Sequence, residues 1–336
     1  MDLTTDYMGL SLKHPVVASA SPLSETVKGI RELEAGGAAA VVLFSLFEEQ
    51  IRREDEAAAE RMEAGAERFS ESLSYFPDVD IRRPGPEEYL DLLRRAAETV
   101  DIPLIASLNG ATREGWVEYA RQMQDAGASA LELNIYAVET DLERSGAEVE
   151  KRHFEVLQAV KASVSIPVSL KLSPFFSAIG GMAARLSRAG ADGLVLFNRF
   201  YQPDIDIVHL EVAPTLSLSS AAEIRLPLLW TALLHGRIEA SLAASRGVEG
   251  PDEVIKYLLA GADVVMTTSA LLRHGPAYAR ALTEGLKRWM EPRGFSSVDE
   301  VKGVMSHARV ADPGAFERAN YLQILESYGE RGPGRG

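Results

Sequence analysis

Lys171 lies inside the apolar run Val168-Ser169-Leu170-Lys171-Leu172, and three asparagines, Asn109, Asn134 and Asn198, each close another apolar run. A lysine among buried apolar residues is costly unless an anion meets it. One reading is an ammonium that faces developing negative charge on a bound molecule. The other is a lysine paired inside the fold with a carboxylate such as Glu132. Asparagine adds both a donor and an acceptor without adding charge, which suits the polar edge of a ring. A second group of residues points to phosphate. Ser245-Arg246-Gly247-Val248 and Thr267-Thr268-Ser269 each follow an apolar run and precede a helical pattern. Backbone N–H groups and hydroxyls in such loops hold a phosphate, and Gly247 permits close backbone approach. The plainer alternative is that these hydroxyls cap the helices that follow.

These residues need elements to position them. Eight short apolar runs, at 15–19, 40–45, 103–108, 130–135, 167–172, 193–198, 240–244 and 263–268, alternate with segments of helical period such as 87–100, 113–126, 149–164 and 251–260. Runs of this kind read as parallel strands covered on both faces. Ala35-Gly36-Gly37-Ala38, Ala126-Gly127-Ala128, Ala189-Gly190-Ala191 and Ala260-Gly261-Ala262 each end a helical pattern. Glycine accepts the left-handed position just past a helix. Pro103 and Pro167 open two further strands, since proline stops the preceding helix. Eight such units predict an α/β fold, a single (β/α)8 (TIM) barrel, in which polar residues at the carboxyl ends of strands converge on one space. A doubly wound sheet is less favoured, because no GxGxxG follows the first strand. The barrel is expected to span 1–328, with an insertion at about 47–86 after the second strand, a helical extension beyond Trp289 and a flexible tail at 329–336. The insertion is charged and Ala-rich and carries Tyr75-Phe76-Pro77; it reads either as a solvated helix or as a segment leaning over the site.

Composition narrows the chemistry. The 336 residues include 35 Lys+Arg and 49 Asp+Glu, a net charge of −14 that argues against nucleic acid as a partner. With no cysteine, disulfides, thiolate nucleophiles, Cys-ligated zinc and iron–sulfur clusters are excluded together. The six histidines show no HxH or HExxH spacing, so no metal site is expected. The amino terminus lacks the pattern of a secretory signal, and the longest apolar stretch, 38–44, is far below the ~20 residues of a membrane helix. A cytoplasmic protein with a small-molecule substrate and no membrane partner is the expectation.

Several runs, in order and spacing, resemble the FMN-binding barrel of the dihydroorotate dehydrogenases: HPVVASASP at 14–22, LELNI at 131–135, PVSLKLSPFF at 167–176, LVLFN at 194–198 and RGVEGPDEVIKYLLAGADVVMTTSAL at 246–271. The likeness extends from about Leu3 to Leu286, and GFSSVDEVKGVM at 294–305 resembles the closing segment. The resemblance implies FMN, with its phosphate at Gly247, Val248, Thr268 and Ser269, its ring over Ser19 and Ala20, and its polar edges at Asn109, Asn134, Lys171 and Asn198. A fixed ammonium there stabilises reduced flavin more than oxidised flavin. The implied activity is hydride transfer between flavin N5 and a small planar or unsaturated substrate. Electrons would then pass to an external carrier, which calls for a separate electron-transfer partner; homodimers are also common in the family.

Other positions depart from the family pattern. Ala137 stands where the family has its Cys or Ser base, three residues beyond Asn134. Phe44 replaces a strand-end lysine, Ser72 aligns near an asparagine that would hold the orotate amide, Arg199 replaces a small hydroxyl, and Arg246 replaces the first glycine of the phosphate loop. Loss of an aligned general base typically removes about 10²–10⁴ in rate, so dihydroorotate itself is left open as the substrate. Tyr136 is a candidate proton donor or a packing residue, while Glu139, Asp141 and Glu143 read as surface charges. Arg199 and Tyr201 are candidates to clamp an anionic substrate, unless Arg199 pairs with Asp204 or Asp206. Two other functions fit the same residues: a lyase or aldolase using Lys171 as a Schiff-base amine, and a catalytically inactive flavin-binding subunit.

Overall fold

The computed structural model describes residues 1–47, 85–110, 113–136, 138–199, 202–213 and 217–316. The insertion at 48–84, with Ser72 and Tyr75-Phe76-Pro77, lies outside the described residues. So do Ala137, Tyr201 and the tail from 317 onward.

A hairpin comes first, β1 (Thr5–Tyr7) pairing antiparallel with β2 (Leu10–Leu12). The barrel strands are β3 (Val16–Ala18), β4 (Val41–Phe47), β5 (Leu104–Asn109), β6 (Ala130–Leu133), β7 (Val168–Leu172), β8 (Gly193–Leu196), β11 (Ser241–Ser245) and β12 (Val264–Thr267). A second antiparallel hairpin, β9 (Asp204–Asp206) with β10 (Glu211–Ala213), interrupts the series after β8. The eight parallel strands close in the order β3-β4-β5-β6-β7-β8-β11-β12. Each sits within two residues of the run expected from sequence, as continuous apolar runs buried on both faces require.

Helices cover the outside: α1 (Val27–Ala35), α2 (Pro86–Ala97), α3 (Arg113–Asp125), α4 (Gly146–Lys161), α5 (Ile179–Arg188), α6 (Arg225–Leu234), α7 (Pro251–Ala260), α8 (Ser269–His274) and α9 (Tyr278–Met290). Gly37, Gly127, Gly190 and Gly261 have φ between 99° and 113°, the left-handed turns anticipated for the four Gly-Ala junctions. One apolar layer fills the space between strands and helices, and a smaller one fills the barrel interior with Val17, Val42, Ile105, Val195 and Met266. Tyr7, Met8 and Leu12 of the first hairpin join the interior layer. The hairpin is pinned where the Met8 N–H donates to Ser241 Oγ (3.0 Å) and Thr5 Oγ1 donates to Asp263 O (2.9 Å). Its turn places Met8 at φ 57° and Gly9 at φ 77°, two successive left-handed residues that suit a tight hairpin.

Beyond α9 the chain returns to its beginning. The Asp2 N–H donates to Ser296 O (2.8 Å), and the Val298 N–H at the start of α10 (Val298–Val301) donates to Asp2 O (3.0 Å). Among the described residues, no helix is long and apolar enough to cross a membrane.

Candidate active site

Lys171 points from β7 into the barrel mouth, its side chain only 10% exposed. Nζ lies 3.2 Å from Glu132 Oε1 on neighbouring β6 and donates to Ser19 Oγ (3.4 Å) just past β3. The lysine–carboxylate pair weighed from sequence is therefore present, and Lys171 also faces the space above the strands. Glu132 is fully buried and its Oε2 has no hydrogen-bond partner, nor has the equally buried Tyr7 hydroxyl. Burial, with the Glu132 charge adding to it, pushes the Tyr7 phenol far up, so it stays protonated.

Two of the three asparagines meet: Asn198 Nδ2 donates to Asn134 Oδ1 at 2.8 Å. Asn109 is buried at the end of β5. Phe44, which aligns with the family's strand-end lysine, is buried. The register of β4 against β5 shifts between Val42 and Ser45, and Phe44 packs edge-on against Tyr89 of α2, ring centroids 4.9 Å apart. Ser45 instead meets Ser107 of β5, Oγ to Oγ at 2.8 Å.

Two cavities share Lys171 and Asn198. The first, about 300 Å³, runs from Ser19 and Ala20 to Gly247, Val248, Thr268 and Ser269, which brings those sequence-predicted residues together. Its charged lining residues are Lys171, Arg199 and Arg246; no Asp or Glu lines it among the described residues. Two of these cations have carboxylate partners outside the lining, Lys171 with Glu132 and Arg246 with Glu223, so the cavity face is basic while the charge behind it is partly balanced. Arg199 is half-buried and lines this cavity beside Asn198. Asp206, weighed as its partner, is held instead by His209 (2.7 Å).

The loops at this end are tied together by a residue the sequence reading missed. Ser219 Oγ lies 2.8 Å from Ser269 Oγ and accepts from the Gly247 N–H at 3.3 Å. The signal was the hydroxyl run Ser217-Leu218-Ser219-Ser220, but nothing in it names its partners 28 and 50 positions away. Thr268 does not cap α8; Oγ1 donates to the carbonyls of Ser19 and Ala20, both 3.3 Å away. Tyr257 of α7 donates to Ser245 O (3.2 Å) and Arg246 O (2.8 Å), which holds the other loop from beneath. Arg246 is ion-paired to Glu223. Partial burial opposes ionisation of Glu223, but hydrogen bonds from Arg246 and the Ser220 N–H, with the charges of Arg246 and Arg199, keep its carboxyl below the usual range.

The second cavity, about 510 Å³, is bordered by Tyr136, Ser173, Phe175, Phe176 and His153. His153 is a further residue missed from sequence. It is buried on α4, Nδ1 bonds to Val149 O (3.1 Å), and its ring stands edge-on to Phe176. Burial is the main cause of its lowered pKa, which leaves the imidazole neutral near pH 7. Glu139, read as a surface charge, pairs with Arg144 (2.8 Å) at the rim, whereas Asp141 and Glu143 are exposed. Among the described residues, no cluster of His, Asp and Glu could hold a metal ion.

A closed eight-stranded parallel barrel with a lysine–carboxylate pair, two asparagines in contact and a cavity at its strand ends has the architecture of the barrel enzymes, which carry their chemistry at that face. The profile of the family described as Dihydroorotate dehydrogenase matches residues 2–290, and the chain belongs to that family of oxidoreductases. It is 30% identical over 240 residues to a protein of Aeropyrum pernix assigned as a dihydroorotate dehydrogenase A (fumarate), covering 68% of this chain and 76% of the relative. It is 27% identical over 312 residues to the catalytic subunit of dihydroorotate dehydrogenase B (NAD(+)) of Methanothermobacter thermautotrophicus, covering 90% and 98%. The NAD-dependent dihydropyrimidine dehydrogenase subunit PreA of Escherichia coli is 25% identical over 329 residues, covering 91% and 77%.

Proposed function

We propose that this oxidoreductase uses FMN and acts on a small planar or unsaturated substrate bound in the second cavity. The observation that carries the reading is the cavity lined by Lys171, Arg199 and Arg246, with no Asp or Glu in its lining among the described residues, which shares Lys171 and Asn198 with a second, partly apolar cavity. The residues fit a phosphorylated flavin: Gly247, Val248, Thr268 and Ser269 would hold the phosphate, and Ser19 and Ala20 would floor the ring. Asn109, Asn134 and Asn198 would meet its polar edges. When bound, FMN supplies two-electron hydride exchange. Lys171 would stabilise negative charge developing beside it, with Glu132 fixing the ammonium in place. Tyr136 borders the second cavity and would serve as proton donor to the substrate. Arg199, which lines the first cavity beside Asn198, would contact an anionic group of the substrate. Tyr201 is kept as a substrate contact by its place two residues further on. Two of the relatives carry the word subunit in their names, which supports a separate electron-transfer partner, since this chain has no cysteine for an iron–sulfur relay.

The test is a visible spectrum followed by anaerobic titration with dihydroorotate and with dihydropyrimidines. A flavin spectrum, and bleaching by a reduced ring substrate, is the expected result. Protein that is colourless and takes up no FMN overturns the reading. Flavin that dithionite reduces but no organic donor does would identify a binding subunit without turnover. The Schiff-base alternative fares worse, because Lys171 is an ammonium with a carboxylate partner rather than an amine in an apolar pocket. Borohydride trapping of a carbonyl substrate on Lys171 would restore it.

A further inference from the structure

Arg246 combines two unfavourable features. Its backbone adopts φ 84°, in the left-handed region that glycine enters freely and a side chain as large as arginine resists. Its guanidinium is only 20% exposed, and the Nε–H is buried with no acceptor. Arginine cannot relieve an unmet donor by losing its proton, and a buried donor without a partner is destabilising. Strained backbone of this kind persists where surrounding structure over-determines it, typically at ligand clamps. Here the surroundings do so: Tyr257 holds the Arg246 carbonyl, and Glu223 holds the far end of the side chain.

The cavity beside it is lined by Gly247, Ser219, Thr268 and Ser269, whose N–H and hydroxyl groups bond to one another and to the Ser19 and Ala20 carbonyls, and Lys171 and Arg199 add cations. Glu223 faces both Arg246 and Arg199, so the three together leave one net positive charge at the loop. Inference of a ligand here rests on the flavin reading, and deepens it. We propose that Arg246 is a ligand of the cofactor phosphate in this chain, its side chain supplying a charged contact to the phosphoryl group, with Glu223 as the positioning residue that aims the guanidinium. The arginine would thus add a charged contact where the family pattern has a glycine.

The experiment compares FMN with riboflavin, which lacks the phosphate, by fluorescence quenching on flavin-stripped full-length protein. Arg246→Gly is expected to weaken FMN about ten- to hundredfold, as loss of a charge-assisted hydrogen bond does, and to leave riboflavin unchanged. The same variant should hold or raise the urea midpoint of the flavin-free protein, since glycine removes both the strain and the orphaned donor. Arg246→Lys and Glu223→Gln, which keep a side chain at each position, should weaken FMN by smaller factors, again without effect on riboflavin; they keep the test open if Arg246→Gly fails to fold. Equal weakening of both flavins, or no weakening of FMN, overturns the proposal. If wild-type protein binds neither flavin, the flavin reading itself fails. Inorganic phosphate then decides alone: a rise in melting temperature for wild type but not for Arg246→Gly supports the arginine contact, and equal behaviour of the two rejects it.

Discussion

Lys171 and Glu132, 39 residues apart in sequence, form an ion pair of 3.2 Å across adjacent strands, with side chains 10% and 1% exposed. The pair sits where the two cavities meet, so the same contact governs both the stability of the barrel mouth and the charge available to a bound molecule.

Removing one member leaves a buried charge uncompensated, which typically costs about 3–5 kcal/mol. Lys171→Met should therefore lower the unfolding free energy of the flavin-free protein by about that amount. Adding Glu132→Gln should recover most of it. Urea unfolding of the two variants checks this; a double variant no more stable than Lys171→Met contradicts the coupling.

Glu132→Gln alone should raise the midpoint potential of bound flavin. The ammonium would no longer be shared with a carboxylate and would favour the reduced, anionic ring more strongly. Each tenfold preference for the reduced form moves a two-electron potential by about 30 mV, and a shift on the order of 30 mV is expected. Spectroelectrochemistry showing no shift, or a fall, would place the Glu132 charge outside the flavin's reach.

Gly247→Ala should damage both fold and binding. The glycine has φ 70°, and a Cβ there would stand 2.8 Å from Ile224 N and 3.0 Å from Ser220 O. A loss of about 1–3 kcal/mol in stability is expected, together with weaker FMN. Gly146→Ala at the first turn of α4 is the control: its Cβ would meet nothing within 4 Å, so stability should hold or rise slightly.

Acid should destabilise the protein through His14. Burial, reinforced by the charge of Lys13, lowers this imidazole to about 4, and its Nδ1 accepts the Val16 N–H at 3.2 Å. Between about pH 6.5 and pH 4 the unfolded chain binds a proton that the folded one refuses. Stability from this group is thus complete above pH 6.5 and declines as pH falls towards 4, by roughly 3 kcal/mol in all. His14→Gln should flatten the pH dependence of the melting temperature across that window. His153 and His235, both lowered chiefly by burial, should leave a residual slope in the same direction.

The barrel was legible because its strands are continuous apolar runs and its helix ends carry Gly-Ala junctions, both local signals. The first hairpin was not: strands of three residues, Thr5–Tyr7 and Leu10–Leu12, are too short to show a period. The contact of Phe44 with Tyr89 was not legible for a related reason. A bulge between Val42 and Ser45 alters which residues face inward, and alternation read along the sequence has no means of marking it. At the site, Lys171, Asn198, Gly247 and Thr268 were recognisable as polar or special residues ending apolar runs. Ser219 and His153 lie in a loop and on a covering helix, where a hydroxyl or an imidazole is ordinary.

Sequence by itself determined the strand–helix alternation, the left-handed glycines, the absence of thiol chemistry and the residues at the strand ends. Those follow from side-chain hydrophobicity and backbone preference acting within a few residues of each other. Only the tertiary structure decided that Lys171 meets Glu132, that Ser219 bridges Gly247 and Ser269, and that Lys171, Arg199 and Arg246 line one cavity. Periodicity specifies which way a side chain faces; its partner is chosen when the barrel closes and brings distant loops to the same rim.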